Sequence, residues 1–76
     1  MDSILTEVVW DEVESSNITR IAYHEDSKRI VVEFKGVGIY AYDDCDKPLY
    51  ERFKNSPSVG KFFYVNIKSR HFERLN

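Results

Sequence analysis

Residues 18–42 read ITRIAYHEDSKRIVVEFKGVGIYAY, three β-rich runs separated by two turn signals, and they decide the fold. In ITRIAYH, Thr19, Ile21 and Tyr23 fall on one face and Arg20, Ala22 and His24 on the other, the alternation of a half-buried strand. Glu25-Asp26-Ser27-Lys28 supplies polar turn formers, and RIVVEFK resumes the alternation with Ile30, Val32 and Phe34. Setting Tyr23 opposite Ile30 brings Ile21 to Val32 and Thr19 to Phe34, so the apolar sets share a face. Lys35-Gly36-Val37-Gly38 then reverses the chain into a third strand, GIYAYD. Two registers fit that reversal. A two-residue turn pairs Phe34 with Ile39 and Val32 with Ala41, whereas a one-residue bulge brings Tyr40 and Tyr42 to the core face.

Downstream the period changes from two to that of a helix. Asp44 or Asp46 is placed to cap a helix from Lys47 to Lys54, with Pro48 tolerated early and Leu49, Tyr50 and Phe53 as its inner stripe. Asn55-Ser56-Pro57 breaks the chain. Ser58 then caps a second helix running to about Ser69, with Val59, Phe62, Phe63 and Ile67 at core spacing and Gly60 weakening it slightly. Its other side carries Lys61, Tyr64 and Lys68, a ring between two ammonium groups. Upstream, residues 1–14 fit either a helical stripe of Ile4, Leu5, Val8 and Val9 or an added edge strand from Val9 to Val13, and the strand is preferred. The expected architecture is α+β: a three-stranded antiparallel meander packed against two C-terminal helices, with an optional N-terminal edge strand. Residues 1–14 form an extension to a domain of residues 15–76, and some terminal fraying is expected.

The chain's 76 residues, 42% of them apolar, suit one domain with one core, burying roughly 60% of the unfolded chain's surface. That scaffold is small for a water-excluding catalytic cleft. A formal charge of −2 argues against a purely electrostatic, sequence-blind nucleic-acid binder. The charge is nonetheless uneven. Asp2, Glu7, Asp11, Glu12 and Glu14 precede Ile18 with no Lys or Arg among them, while cations and rings alternate near the C-terminus. The single Cys45 forbids an intrachain disulfide and fits a reducing, cytoplasmic setting. The N-terminal MDSILTEVVWDEVESS lacks the cationic start and long apolar run of a signal peptide or spanning helix, so no membrane association is expected.

Ser15-Ser16-Asn17-Ile18, Val32-Glu33-Phe34, Tyr40-Ala41-Tyr42 and Ser58-Val59-Gly60-Lys61-Phe62-Phe63, followed by Ile67-Lys68, together resemble the KTSC domain. That family is named from an appendage at the C-terminus of some lysyl-tRNA synthetases and also occurs as small stand-alone proteins. The resemblance spans about Val13 to Phe72. Tyr-x-Tyr and Ser-x-Gly-Lys-Phe-Phe are its most specific parts. The chain departs from the family pattern after the paired Phe residues, where Tyr64 stands in place of the usual Asn and the nearest amide is Asn66. The resemblance implies a stand-alone domain, and for the family an RNA-binding activity has been proposed.

The candidate ligand-binding residues follow from side-chain chemistry. Lys61, Lys68 and Arg70 are suited to phosphate and Tyr64 to stacking on a base; the alternative is a solvated helix face. Tyr40 and Tyr42 share a side of one strand and read either as core rings or as a stacking platform. Ser15, Ser16 and Asn17 offer hydroxyls and an amide but equally form a turn, and Asn66 adds a polar contact. The free amides at the start of the second helix are a further anion site by chemistry, without any Walker pattern. Asp43, Asp44 and Asp46 read as turn and cap rather than a cation site, and His24 and His71 lack a Cys/His cluster. Cys45 reads as a buried apolar residue and Trp10 as an edge anchor or self-association contact. No catalytic constellation, metal site or cofactor is expected. The function read from the chain is a non-catalytic module for RNA or another phosphate-bearing nucleotide. One alternative is a protein-interaction or regulatory module, of phage or accessory origin, acting through a basic protein partner or homo-oligomerisation. The other is a sponge for a small signalling nucleotide.

Overall fold

The computed structural model describes residues 4–76; the beginning of the N-terminal extension, including Asp2 of the acidic segment, lies outside the described residues. Along the chain run α1 (Ile4–Glu7), β1 (Asp11–Glu12), β2 (Ile18–His24), β3 (Arg29–Phe34), β4 (Gly38–Tyr42), α2 (Lys47–Lys54), α3 (Val59–Asn66) and β5 (Phe72–Arg74). The strands form one open antiparallel sheet in the order β1-β2-β3-β4-β5. The α+β class stands, and the described residues form five strands and three helices in place of the expected three strands, optional N-terminal edge strand and two helices. Residues 4–14 contain both of the structures weighed for them, a short helix and then a two-residue edge strand. At the other end, the segment expected to fray returns as β5 beside β4.

The central register follows the apolar pattern except at two places. Tyr23 lies opposite Ile30 and Ile21 opposite Val32, but Thr19 is bulged out, so Ile18 rather than Thr19 faces Phe34. The bulge puts apolar Ile18 into the core and leaves Thr19 in solvent. The β3–β4 reversal takes the bulged register, with Phe34 opposite Gly38, Val32 opposite Tyr40 and Ile30 opposite Tyr42. Lys35, Gly36 and Val37 form its three-residue loop. Gly36 at φ +70° and Gly38 at φ +149° supply backbone conformations that other residues rarely adopt.

Both faces of the sheet are covered, so the single expected core is two layers. On one face Ile18, Ile21, Ile30, Val32 and Tyr42 pack with Leu49, Tyr50 and Phe53 of α2, Val59 of α3 and Ile67 just beyond it. Ile18, Ile21, Ile30 and Val32 are at most 1% exposed, and burying each stabilises the fold by roughly 1.5–3 kcal/mol. On the other face Ala22, Val31, Ile39 and Ala41 pack with Ile4 and Leu75, flanked by Leu5, Val8 and Trp10. These strand residues include two alanines, which lets the short α1 lie close. Trp10 also stacks beneath the Arg20 guanidinium, 4.1 Å from its ring centre.

Caps fix the helices where the sequence places them. Asp46 Oδ1 accepts the Leu49 amide at 3.0 Å, and Ser58 Oγ accepts that of Lys61 at 3.4 Å. Stacked Phe53 and Phe62, 5.6 Å apart, join α2 to α3. The second helix stops at Asn66, short of the expected Ser69, because the chain must turn there to enter β5. Arg70 holds that turn, donating to the carbonyls of Asn66 and Asp44. The N-terminal segment is tied by the Tyr50 hydroxyl, which donates to the Asp11 carboxylate, and by His24 Nε2, 2.6 Å from Glu7 Oε1.

Candidate functional site

Where β2 begins, the Ser15 hydroxyl accepts the amides of Asn17 and Ile18, each at 3.3 Å, and fixes a tight polar entry. The β3–β4 loop closes against it: the Lys35 amide donates to the Asn17 carbonyl and Lys35 Nζ to the Ser15 carbonyl, both at 2.8 Å. Helix α3 approaches from the other side through Gly60, where a Cβ would stand 3.5 Å from Ser15 Oγ. Between these three elements is a hollow of about 360 Å³. Ile18, Phe34 and Phe63 supply its apolar interior, and Ser16, Asn17, Lys35, Val37, Tyr64 and Lys68 its exposed border. Lys68 Nζ lies 4.2 Å from the centre of the Tyr64 ring, so a cation and a ring share one wall.

A second hollow of about 340 Å³ adjoins the first, sharing Phe34, Val37, Phe63 and Lys68 with it and adding Tyr40, Tyr42 and Phe72. Its rings form a connected cluster. Phe63 meets Phe34 and Tyr42 edge-on at 5.1 and 5.2 Å, while Phe72 lies 5.8 Å from Tyr40 and 5.6 Å from Tyr42. Tyr42 is 6% exposed, and burial, helped by Tyr40, pushes its hydroxyl up to about 12, so it stays neutral. Among the described residues Lys68 is the one cation lining this second hollow.

The structure sorts the candidate residues into groups. Ser16, Asn17, Tyr64 and Lys68 meet at the first hollow, and Tyr40, Tyr42 and Lys68 at the second. Tyr42 is a core ring, whereas Tyr40 is half-buried with the Arg74 guanidinium 5.8 Å from its centre. Lys61 and Asn66 border a separate hollow with Phe62 and Val65, so the ring between two ammonium groups is not formed: Lys68 alone stands over Tyr64. Lys61 is on α3 but lines the hollow beside Phe62 and Val65, whereas Lys68, beyond the early end of the helix, reaches Tyr64. Arg70 spends its fork on backbone carbonyls and Ser15 its hydroxyl on backbone amides. Sequence reading missed Lys35, whose turn position concealed that its loop folds back onto Ser15. It also missed Phe72, because three residues are too few to display strand alternation.

Other reactive groups serve structure. Cys45 is fully buried and desolvation pushes its thiol up, which disfavours the nucleophilic thiolate. Asp43 binds Arg29 at 2.6 Å and His71 at 2.7 Å, and Asp46 caps α2. Among the described residues no group of three or more His, Cys, Asp or Glu is placed to hold a metal ion, and no helix is long and apolar enough to cross a membrane.

A family model described as the KTSC domain matches residues 14–72. The crystal structure of a KTSC domain protein from Yersinia pestis superposes with a TM-score of 0.86 at 26% identity, covering 91% of this chain and 99% of that one. No match was found among curated protein sequences. The matched span contains every residue of the two adjoining hollows.

Proposed function

The chain belongs to the KTSC domain family, and from that premise we propose that it is a small non-catalytic module that binds RNA or another phosphate-bearing nucleotide in the groove between the β3–β4 loop and α3. The observation that carries this reading is the joining of Tyr64, Lys68 and Lys35 with Ser16 and Asn17 around one base-sized hollow. An exposed ring offers a stacking surface to any base. Two lysines supply the charge a phosphate needs, and the hydroxyl and amide offer contacts to sugar or base edges. An overall acidic chain does not oppose this, since the cations act locally.

The test is fluorescence anisotropy with a labelled single-stranded RNA at two salt concentrations. Two phosphate contacts give a slope of log affinity on log salt of about −1.4, so a fourfold rise in salt weakens binding about sevenfold. Exchanging Lys35→Gln and Lys68→Gln together should remove most of that dependence, and Tyr64→Ala should weaken binding with the slope retained. Absence of binding by the unaltered chain, or a slope unchanged in the double variant, overturns the assignment.

A further inference from the structure

Three of the five large exposed hydrophobic side chains among the described residues border the two adjoining hollows, while Val9 and Val65 lie elsewhere. Val37, Tyr64 and Phe72, 56%, 66% and 51% exposed, are those three. At about 360 and 340 Å³ each hollow is at the small end of the range for ligand sites, so neither holds more than one base with part of its sugar. Their chemistry differs. The first has Ser16, Asn17 and Lys35 on its border, while the second is bounded by rings and Val37 apart from Lys68. Lys68 belongs to both, at the boundary between them. Two flat-walled apolar hollows with a cation at their junction match a ligand made of two flat apolar units joined by an anion.

Resting on the nucleotide reading above, we infer that the groove takes two consecutive nucleosides of a single strand, one in each hollow, with the linking phosphate on Lys68 Nζ. One base stacks on the Tyr64 side and the other packs against the joined rings of Tyr40 and Phe72. Lys35, which lines the first hollow but not the second, meets the next phosphate along the strand.

The experiment is a titration of isotope-labelled protein followed by NMR, with adenosine monophosphate, the linear dinucleotide ApA and the trinucleotide ApApA as probes. The monophosphate should shift the amides of Asn17 and Tyr64, and ApA should in addition shift those of Tyr40 and Phe72. ApA should bind at least about tenfold tighter than the monophosphate, the gain of one more stacked base, and ApApA within about threefold of ApA. Phe72→Ala should reduce ApA to the level of the monophosphate while leaving the monophosphate unchanged. Lys68→Gln should weaken ApA by removing the contact to its linking phosphate, and it does not depend on altering the sheet. Equal affinity for the monophosphate and ApA overturns the two-nucleoside groove and leaves nucleotide binding standing. A gain of similar size at every added nucleotide also overturns it. Silence from all three probes overturns both readings.

Discussion

Tyr50→Phe removes one oxygen atom and should destabilise the protein by about 1–2 kcal/mol. The Tyr50 side chain is 4% exposed and its ring, 5.6 Å from that of Tyr23, stays packed after the exchange. Its hydroxyl donates to the Asp11 carboxylate, and a second acceptor, the Ile21 carbonyl, lies at 3.4 Å. Burial, and then the Asp11 hydrogen bond and charge, raise the Tyr50 hydroxyl far above its ordinary value, so it remains a donor. A hydrogen bond to a charged group contributes about 1.5–3 kcal/mol net. Here the Asp11 side chain is 38% exposed, so water replaces part of the lost bond and the cost falls to about 1–2 kcal/mol. Lys54, 3.9 Å from the same carboxylate, is also exposed and contributes little. In urea a chain this small unfolds with a slope of about 1 kcal/mol per molar, so the midpoint should fall by about 1–2 M. A double-mutant cycle with Asp11→Ala isolates the pair, with an expected coupling of about 1 kcal/mol. If Tyr50→Phe leaves the midpoint in place, or the two exchanges add without coupling, this bond does not anchor β1 and the reasoning fails.

Asp46→Ala removes the acceptor for the Leu49 amide and should cost about 1 kcal/mol of stability, read from the thermal unfolding midpoint. The His71 hydrogen bond, with Arg29 beside it, holds the Asp43 carboxyl below its ordinary value of 3.8 against partial desolvation. A depressed folded value contributes stability above the unfolded value and loses it as pH falls through the folded one, so Asp43→Asn should flatten the acid limb of stability below about pH 4. Gly38→Ala places a methyl 3.0 Å from Asn76 Oδ1 and 3.1 Å from Arg74 Nη2 at a φ of +149°. It should speed amide exchange at Leu75, which donates across to Ile39, whereas Gly36→Ala, with open space around it, should cost about 1 kcal/mol of backbone strain and leave that amide protected.

How far the sequence discloses this molecule depends on the range of each signal. Strand alternation and helix caps are local, so β2, β3, α2 and the start of α3 are legible from ITRIAYH, RIVVEF, Asp46 and Ser58. The five-stranded sheet is legible only in part: an edge strand is expected around β1, whereas β5 has three residues and exists through its partner. Just beyond β5 the Ile39 carbonyl accepts the Leu75 amide and the Asn76 side chain accepts the Ile39 amide, both at 2.8 Å, contacts 36 or more positions apart that no window displays. The candidate site divides in the same way. Tyr64 and Lys68 were identifiable by type and spacing, yet Lys35 joins them only because a loop folds onto Ser15. Arg70 carries the right chemistry, but backbone carbonyls claim it.

The length of one turn decides whether the groove exists. With a two-residue turn at Gly36 and Val37, Ile39 and Ala41 would share the helix face with Val32, and Tyr40 and Tyr42 would point to the opposite side, since a one-residue shift inverts every side chain of a strand. There they would meet the layer that α1 and Leu75 now cover, where Ala22, Val31, Ile39 and Ala41 leave room for close approach. Two phenol rings do not fit under that cover, and Ala41 cannot fill the place that Tyr42 takes beside Phe63. The three-residue loop avoids both faults by using the positive φ of Gly36 and the unusual backbone of Gly38. It also leaves Val37 exposed at the border of both hollows and Lys35 beside Ser15. The packing of the two core layers therefore selects the register, and that register sets Tyr40, Phe72 and Lys68 around one groove. The feature on which the functional reading rests is a consequence of how this sheet must pack.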